Sequence, residues 1–113
     1  MTRPYVPSSG DLVWISFDPQ SGHEQAGRRP GLVLSPAEYN QASGLALACP
    51  IASRVKGYPF EVAVSSNRIQ GVVLADQLRS LDWRARPFAF LEQAGKETVE
   101  EVKALLSILL QIG

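Results

Sequence analysis

This sequence has one cysteine, one histidine and, after Met1, no methionine. A lone thiol, Cys49, excludes an internal disulfide and a cysteine metal cluster. With a single imidazole beside it, any metal chemistry would have to rest on carboxylates. No apolar run nears the ~18 residues of a membrane-spanning helix. The amino terminus shows no basic stretch followed by an apolar core, so no signal peptide is read. A reducing, cytoplasmic setting is the simplest expectation. A surplus of one charge sign is missing too, since eleven Lys and Arg face eleven Asp and Glu. Repeats, linkers and low-complexity segments are also absent.

What is present is globular. The 113 residues suit one domain spanning 1–113, and a 45% hydrophobic, 19% charged composition suits a packed core rather than a disordered chain. The charges are unevenly placed. Arg28, Arg29, Arg54, Lys56, Arg79, Arg84 and Arg86 lie in the first and middle parts, whereas Glu92, Glu97, Glu100 and Glu101 crowd the end beside Lys96 and Lys103. A neutral chain can still present a basic face if such arginines converge.

Residues 11–17, partly alternating and rich in β-branched and aromatic side chains, read as a strand closed by Asp18-Pro19. Residues 31–35 form the second strand, stopped by Pro36. A short helical turn over 37–41 follows, with Ser35 as its cap and Pro36 at its first position. Residues 45–49 read as a third strand buried on both faces, its ladder ended by Pro50. Residues 60–65 and 71–75 are the fourth and fifth strands, 79–82 extends the pairing, and 88–91 is a weaker sixth segment. Short strands punctuated by Gly and Pro indicate a small antiparallel barrel.

Residues 98–110 predict the one long helix, opened by a Thr98/Glu101 capping box. Val99, Val102, Leu105, Leu106, Leu109 and Ile112 make its apolar stripe. Ile108 and Leu110 widen that stripe. The excess covers either a dimer contact or, the preferred expectation, a pocket at the barrel mouth.

Chemistry concentrates in residues 21–35, where a polar loop meets an apolar strand. Glu24, Gln25, Arg28 and Arg29 bring a carboxylate, a carboxamide and two guanidiniums to that junction. Arginine is always charged and offers a planar fork matched to phosphate. Arg29 precedes Pro30, so its backbone is held extended. Glu24 can accept a proton and Ser53 can donate one to a phosphate oxygen. Such a set suits metal-independent phosphodiester cleavage by a neighbouring hydroxyl. A solvated hairpin loop with a Glu24–Arg28 surface pair is the plainer account of the same residues. His23 reads as an exposed spacer, Cys49 as a buried structural thiol, and Trp14 and Trp83 as either core or exposed platforms.

At these residues the chain resembles the MazF/PemK (Kid) family of toxin endoribonucleases. The likeness runs through Gly10-Asp11-Leu12, through Gly22-His23-Glu24-Gln25-Ala26-Gly27-Arg28-Arg29-Pro30, and through Val33-Leu34-Ser35. It continues in register at Tyr39-Asn40, Pro50, Lys56-Gly57-Tyr58-Pro59-Phe60-Glu61-Val62, Gly71-Val72-Val73-Leu74-Ala75-Asp76-Gln77 and Asp82-Trp83-Arg84-Ala85-Arg86. Tyr5-Val6-Pro7 also fits, and the match thins past Arg86.

The resemblance implies a mainly β, SH3-like barrel with a carboxyl-terminal helix, assembled as a homodimer. It implies sequence-specific cleavage of single-stranded RNA, often mRNA, without metal or other cofactor, leaving a 2′,3′-cyclic phosphate and a 5′-hydroxyl. It further implies restraint by a cognate MazE-like antitoxin whose acidic tail occupies the RNA groove. Single strands suit such readout, because their bases are unpaired. Arg29 matches the catalytic arginine, Glu24 is the best base, and Asp76 matches an acidic position used in some members. Lys56 and Arg86 match groove residues, and Gln25, Arg28, Arg54, Gln77 and Arg79 join them as RNA-binding positions. Base selection is expected from 53–56 and 65–70.

One departure stands out. The family usually carries Thr at the position of Ala52, where its hydroxyl assists the phosphate chemistry. Ser53 substitutes for it, or the activity is weakened, or the residue was introduced to silence the toxin. Weakened cleavage with RNA binding retained is the preferred expectation. Two other functions remain open: a non-catalytic RNA- or antitoxin-binding relic, and a CcdB-like gyrase poison. The carboxyl terminus Gln111-Ile112-Gly113 and the 24–30 loop argue against the latter.

Overall fold

A computed structural model describes residues 4–16 and 27–112, and of Ser65 the backbone only. Strand β1 (Asp11–Ser16) pairs antiparallel with β2 (Arg28–Val33), setting Leu12 against Leu32 and Ile15 against Arg29. Helix α1 (Ala37–Ser43) leads into the long strand β3 (Leu45–Ala52). Strands β4 (Glu61–Ser65) and β5 (Gln70–Leu74) pair with each other, and a single 3₁₀ turn, Ala75–Gln77, follows. Strand β6 (Arg79–Asp82), strand β7 (Phe88–Gln93) and helix α2 (Lys96–Leu110) complete the chain. The strand order is β4-β5-β3-β2-β1-β7, with β6 also on β3.

Strand β3 organises this sheet. One edge carries β2, while the other carries β6 along Leu45 to Ala48 and then β5 at Ile51 and Ala52. The sheet divides at that switch and curls into a half-barrel, the open form of the small antiparallel barrel that the sequence predicts. Adjacent residues of a strand point to opposite faces, and both faces are covered. Leu12, Leu32, Cys49 and Val102 belong to one core cluster; Val13, Val33, Ala48 and Phe88 belong to the other. Full burial of each Val, Leu or Phe among them contributes about 1.5–3 kcal/mol.

Pro50 does not end the β3 ladder; it pairs with Gly31 inside the strand. Leu47 turns its N–H to Ser35 Oγ and its C=O to the Leu34 N–H, so it faces the β2 edge. By alternation Pro50 faces the other edge, between the last β6 pair at Ala48 and the first β5 pair at Ile51. Its missing N–H costs no ladder bond there. Nor is β3 buried on both faces throughout, because Leu45 and Leu47 are half-exposed. Strand β2 begins at Arg28 rather than residue 31, so both arginines belong to the sheet.

Ser35 does not cap α1, whose cap is Pro36. Its hydroxyl instead donates to Asn40 Oδ1 at 2.6 Å and accepts the Leu47 N–H at 2.8 Å. Fully buried Asn40 donates from Nδ2 to the carbonyls of Pro7 (2.7 Å) and Ser35 (3.0 Å), and its own carbonyl accepts the Trp83 indole N–H at 2.9 Å. Asn40 thereby ties the amino-terminal arm, the segment after β2, α1 and the segment after β6 together. Asp11 does similar work. Its carboxylate accepts from the Tyr5 hydroxyl, the Ser8 N–H and the Gln93 amide.

Helix α2 starts at Lys96 with Gly95 as its cap. The Thr98/Glu101 box does not form, because Thr98 already lies inside the first turn. Val102 is buried, and Val99, Leu105 and Leu106 pack on the same cluster. Ile108, Leu109, Leu110 and Ile112 stand exposed. The apolar excess therefore fills no pocket at the barrel mouth, since the last turn of α2 lies beyond the core on which it packs. Among the described residues no helix is long and apolar enough to cross a membrane.

Candidate functional site

The switch in β3 opens a cleft of about 620 Å³ lined by residues of β2, β3, the following loop, β5 and the 3₁₀ turn. Arg29 and Pro30 come from β2; Ile51 and Ala52 come from the end of β3. The register that sets Gly31 against Pro50, continued outward, brings Arg29 level with Ala52 where these two strands cease to pair. Rigid strands thus aim the guanidinium at the cleft. On its far side Ala52 pairs with Val72, so the segment leading to Ser53 is held from the β5 edge.

Gly71 allows that pairing. A Cβ built on it would stand 2.2 Å from the Ala52 carbonyl oxygen, at a φ of +152°. No side chain fits there without moving the backbone.

The loop after β3 adds Ser53, Arg54, Lys56 and Tyr58 to the cleft, and the turn after β5 adds Asp76 and Gln77. Residues 53–59 are all exposed, as are Arg29, Asp76 and Gln77. The charged groups therefore meet solvent and any ligand directly. Helix α2 packs behind the 3₁₀ turn and fixes it from the core side. Cys49 lies just beneath, fully buried, with Sγ 3.8 Å from the Ala75 carbonyl. Burial, reinforced by the negative charge of Asp76, pushes this thiol up to about 12. It stays protonated and serves as core.

Arg29, Ala52, Ser53, Arg54, Lys56, Asp76 and Gln77, all singled out in the sequence, line this one cleft. Glu24 and Gln25, with His23, lie outside the described residues. Arg28, Arg79 and Arg86 do not line this cleft. Arg28 sits with its guanidinium 5.4 Å from the Trp14 ring centroid, Arg79 pairs with Ala48, and the Arg86 N–H bonds the Asp82 carbonyl. Trp83 is framework, bonded to Asn40. The lining also includes Tyr58, Phe60 and Glu61, which sequence reasoning placed in a motif without giving them a role. An aromatic residue between Gly57 and Pro59 was the available signal.

A small curled antiparallel barrel opening a cationic cleft is the layout of a module that handles single-stranded nucleic acid. The chain belongs to the PemK-like, MazF-like toxins of type II toxin–antitoxin systems, whose family profile matches residues 8–110. The endoribonuclease toxin MazF of Escherichia coli strain K12 is 46% identical over 110 residues, covering 97% of this chain and 99% of that one. The MazF of a MazE–MazF crystal structure (form II) from Deinococcus radiodurans is 54% identical. It superposes with a TM-score of 0.91 over 97% of this chain and 100% of that one. At 20% identity, an endoribonuclease from mycobacterial species, solved with its cognate antitoxin, shares the fold with a TM-score of 0.76 over 97% of this chain and 98% of that one.

Proposed function

We propose that this chain is a sequence-specific endoribonuclease toxin that cuts single-stranded RNA in the cytoplasm and is restrained by a MazE-like antitoxin. The observation that carries this reading is the convergence of Arg29, Ser53, Lys56 and Asp76 on one cleft beside Ala52. The 2′-hydroxyl of a nucleotide attacks the adjacent phosphorus. Its oxygen–phosphorus bond forms as the bond to the 5′-oxygen breaks, giving a 2′,3′-cyclic phosphate and a 5′-hydroxyl.

Arg29 stabilises the charge that builds on the phosphoryl oxygens, a task its high pKa suits better than proton transfer. Glu24 takes the 2′-hydroxyl proton, the departing 5′-oxygen takes one from solvent to become the 5′-hydroxyl, and Ser53 donates a hydrogen bond to a non-bridging oxygen. Arg54 and Lys56 hold flanking phosphates. No step calls for a metal. The exposed apolar end of α2, Ile108 to Leu110 and Ile112, supports a homodimer.

Ala52 offers no hydroxyl to the cleft it lines, which favours a slowed enzyme that still grips RNA over a fully active one. Purified protein and Ala52→Thr, each incubated with a long transcript in EDTA, test the reading. Fragments with cyclic-phosphate ends at recurring sites, faster with Ala52→Thr, are expected. RNA retained without cutting by either protein would leave a binding relic, and RNA neither held nor cut would point to a protein target.

A further inference from the structure

Between β3 and β4 the chain crosses one wall of the cleft as an exposed loop, residues 53–59. Such a loop would ordinarily be mobile, yet one side chain ties it down. The Glu61 carboxylate accepts the Lys56 N–H at 3.2 Å on each oxygen and the Gly57 N–H at 2.9 Å. The Glu61 N–H in turn donates to the Tyr58 carbonyl at 3.2 Å. Gly57 makes the clasp possible. Its φ is +83°, and nothing lies within 4 Å of where its Cβ would be, so conformation rather than space requires glycine there.

The clasp leaves Tyr58 in an unusual setting. The residue is 61% exposed although an aromatic ring normally buries its faces. It also borders the cleft that holds Arg29, Lys56 and Asp76. An aromatic face presented on a pinned loop beside cationic groups is what an unpaired base stacks upon.

We propose that Tyr58 is a stacking platform for one unpaired base next to the scissile phosphate, and that Glu61 is the positioning residue that holds it. This rests on the endoribonuclease reading above and deepens it. Stacking accepts any base face, so the platform adds grip and register, while neighbouring polar side chains choose the base. The clasp also restrains Lys56, keeping a phosphate contact and a base contact at one fixed spacing.

The test uses the whole protein and single-stranded oligonucleotides of the mapped cleavage sequence: one with 2′-deoxyribose at the cut and 2-aminopurine moved through the flanking positions, for binding and quenching, and its all-ribose counterpart, for KM and kcat. Stacking by Tyr58 quenches the probe at one position. Tyr58→Leu should weaken binding and raise KM by about 5- to 150-fold, with a much smaller change in kcat, and should abolish that quench. Tyr58→Phe should restore the affinity and the quench. Glu61→Gln should shift KM in the same direction at an unchanged Tm, and the two substitutions combined should cost less than the sum of each alone. Parent-like affinity and quenching in Tyr58→Leu overturn the platform while leaving the nuclease intact. Additive effects overturn the positioning role of Glu61. Failure of the parent to bind any oligonucleotide overturns both this proposal and the reading beneath it.

Discussion

Gly71 of β5 stands so close to Ala52 of β3 that a methyl group on it would lie 2.2 Å from the Ala52 carbonyl oxygen. The obstacle is backbone rather than a flexible side chain, so Gly71→Ala must push β3 and β5 apart at the cleft. Crowding of this kind costs about 1–3 kcal/mol, and the positive φ adds strain. We expect a lower urea midpoint together with loss of RNA cleavage. A Gly71→Ala protein as stable and as active as the parent would show that the approach of the two strands does not matter.

Ala52→Thr places a hydroxyl in the cleft beside Ser53. A β-branched residue suits a strand position, so stability should stay within about 0.5 kcal/mol. Single-turnover cleavage should rise by roughly 10²–10³ if one donor to the phosphate has been missing. Ser53→Ala in the parent separates the alternatives. A large loss there, with little gain from Ala52→Thr, would mean that Ser53 already fills the role.

Arg29→Lys keeps the charge and removes the planar fork. Because Arg29 is exposed on a strand, folding should be little affected. In the Ala52→Thr background the substitution should slow cleavage at saturating RNA by about 10²–10³. A change confined to KM would reassign Arg29 from charge stabilisation to simple binding.

The buried thiol predicts a pH signature. Cys49 is pushed up to about 12, whereas an unfolded chain ionises its thiol near 9.0. Above that value the unfolded state sheds a proton that the folded state keeps. Stability must therefore fall as pH rises from about 9 toward 12, by up to ~1.4 kcal/mol per unit. Tyr5, kept protonated by burial and by its bond to Asp11, adds to the decline above its ordinary value of 10.0. Urea titrations of parent and Cys49→Ala across this range isolate the thiol, and the variant should show the shallower slope. Iodoacetamide should label the native protein only after denaturation.

Asn40→Ala should cost roughly 2–4 kcal/mol without touching the cleft, because it strands the Pro7 carbonyl and removes the partner of Ser35. Differential scanning calorimetry would register this as a drop in Tm. An unchanged Tm would mean that water replaces the carboxamide at no cost.

Much of this was legible in the chain. Alternating β-branched runs marked the strands, the i, i+3, i+4 spacing of Val99, Val102, Leu105 and Leu106 marked the packed face of α2, and the motif around Arg29 marked the site. Element ends were not legible. Pro50 looked like a stop, but its edge was read without knowing which neighbour it faced. Ser35 looked like a cap, but a buried Asn40 competed for its hydroxyl and won. Thr98 and Glu101 had the spacing of a capping box, yet the helix had already begun at Lys96.

The sequence by itself determined which residue types were available: one thiol, a pre-proline arginine, an alanine-serine pair after Pro50, and strands short enough to curl. Local sterics, periodicity and charge act over a few residues, so they can be read along the chain. Only the tertiary structure decided which of them meet. Arg29 and Ala52 come level because β2 and β3 share a register, and Asp76 joins them because β5 crosses to the far edge of β3. Arg28 and Arg79, equally charged, fall elsewhere. Convergence is a property of strand pairing across long sequence separations, and no local preference encodes it.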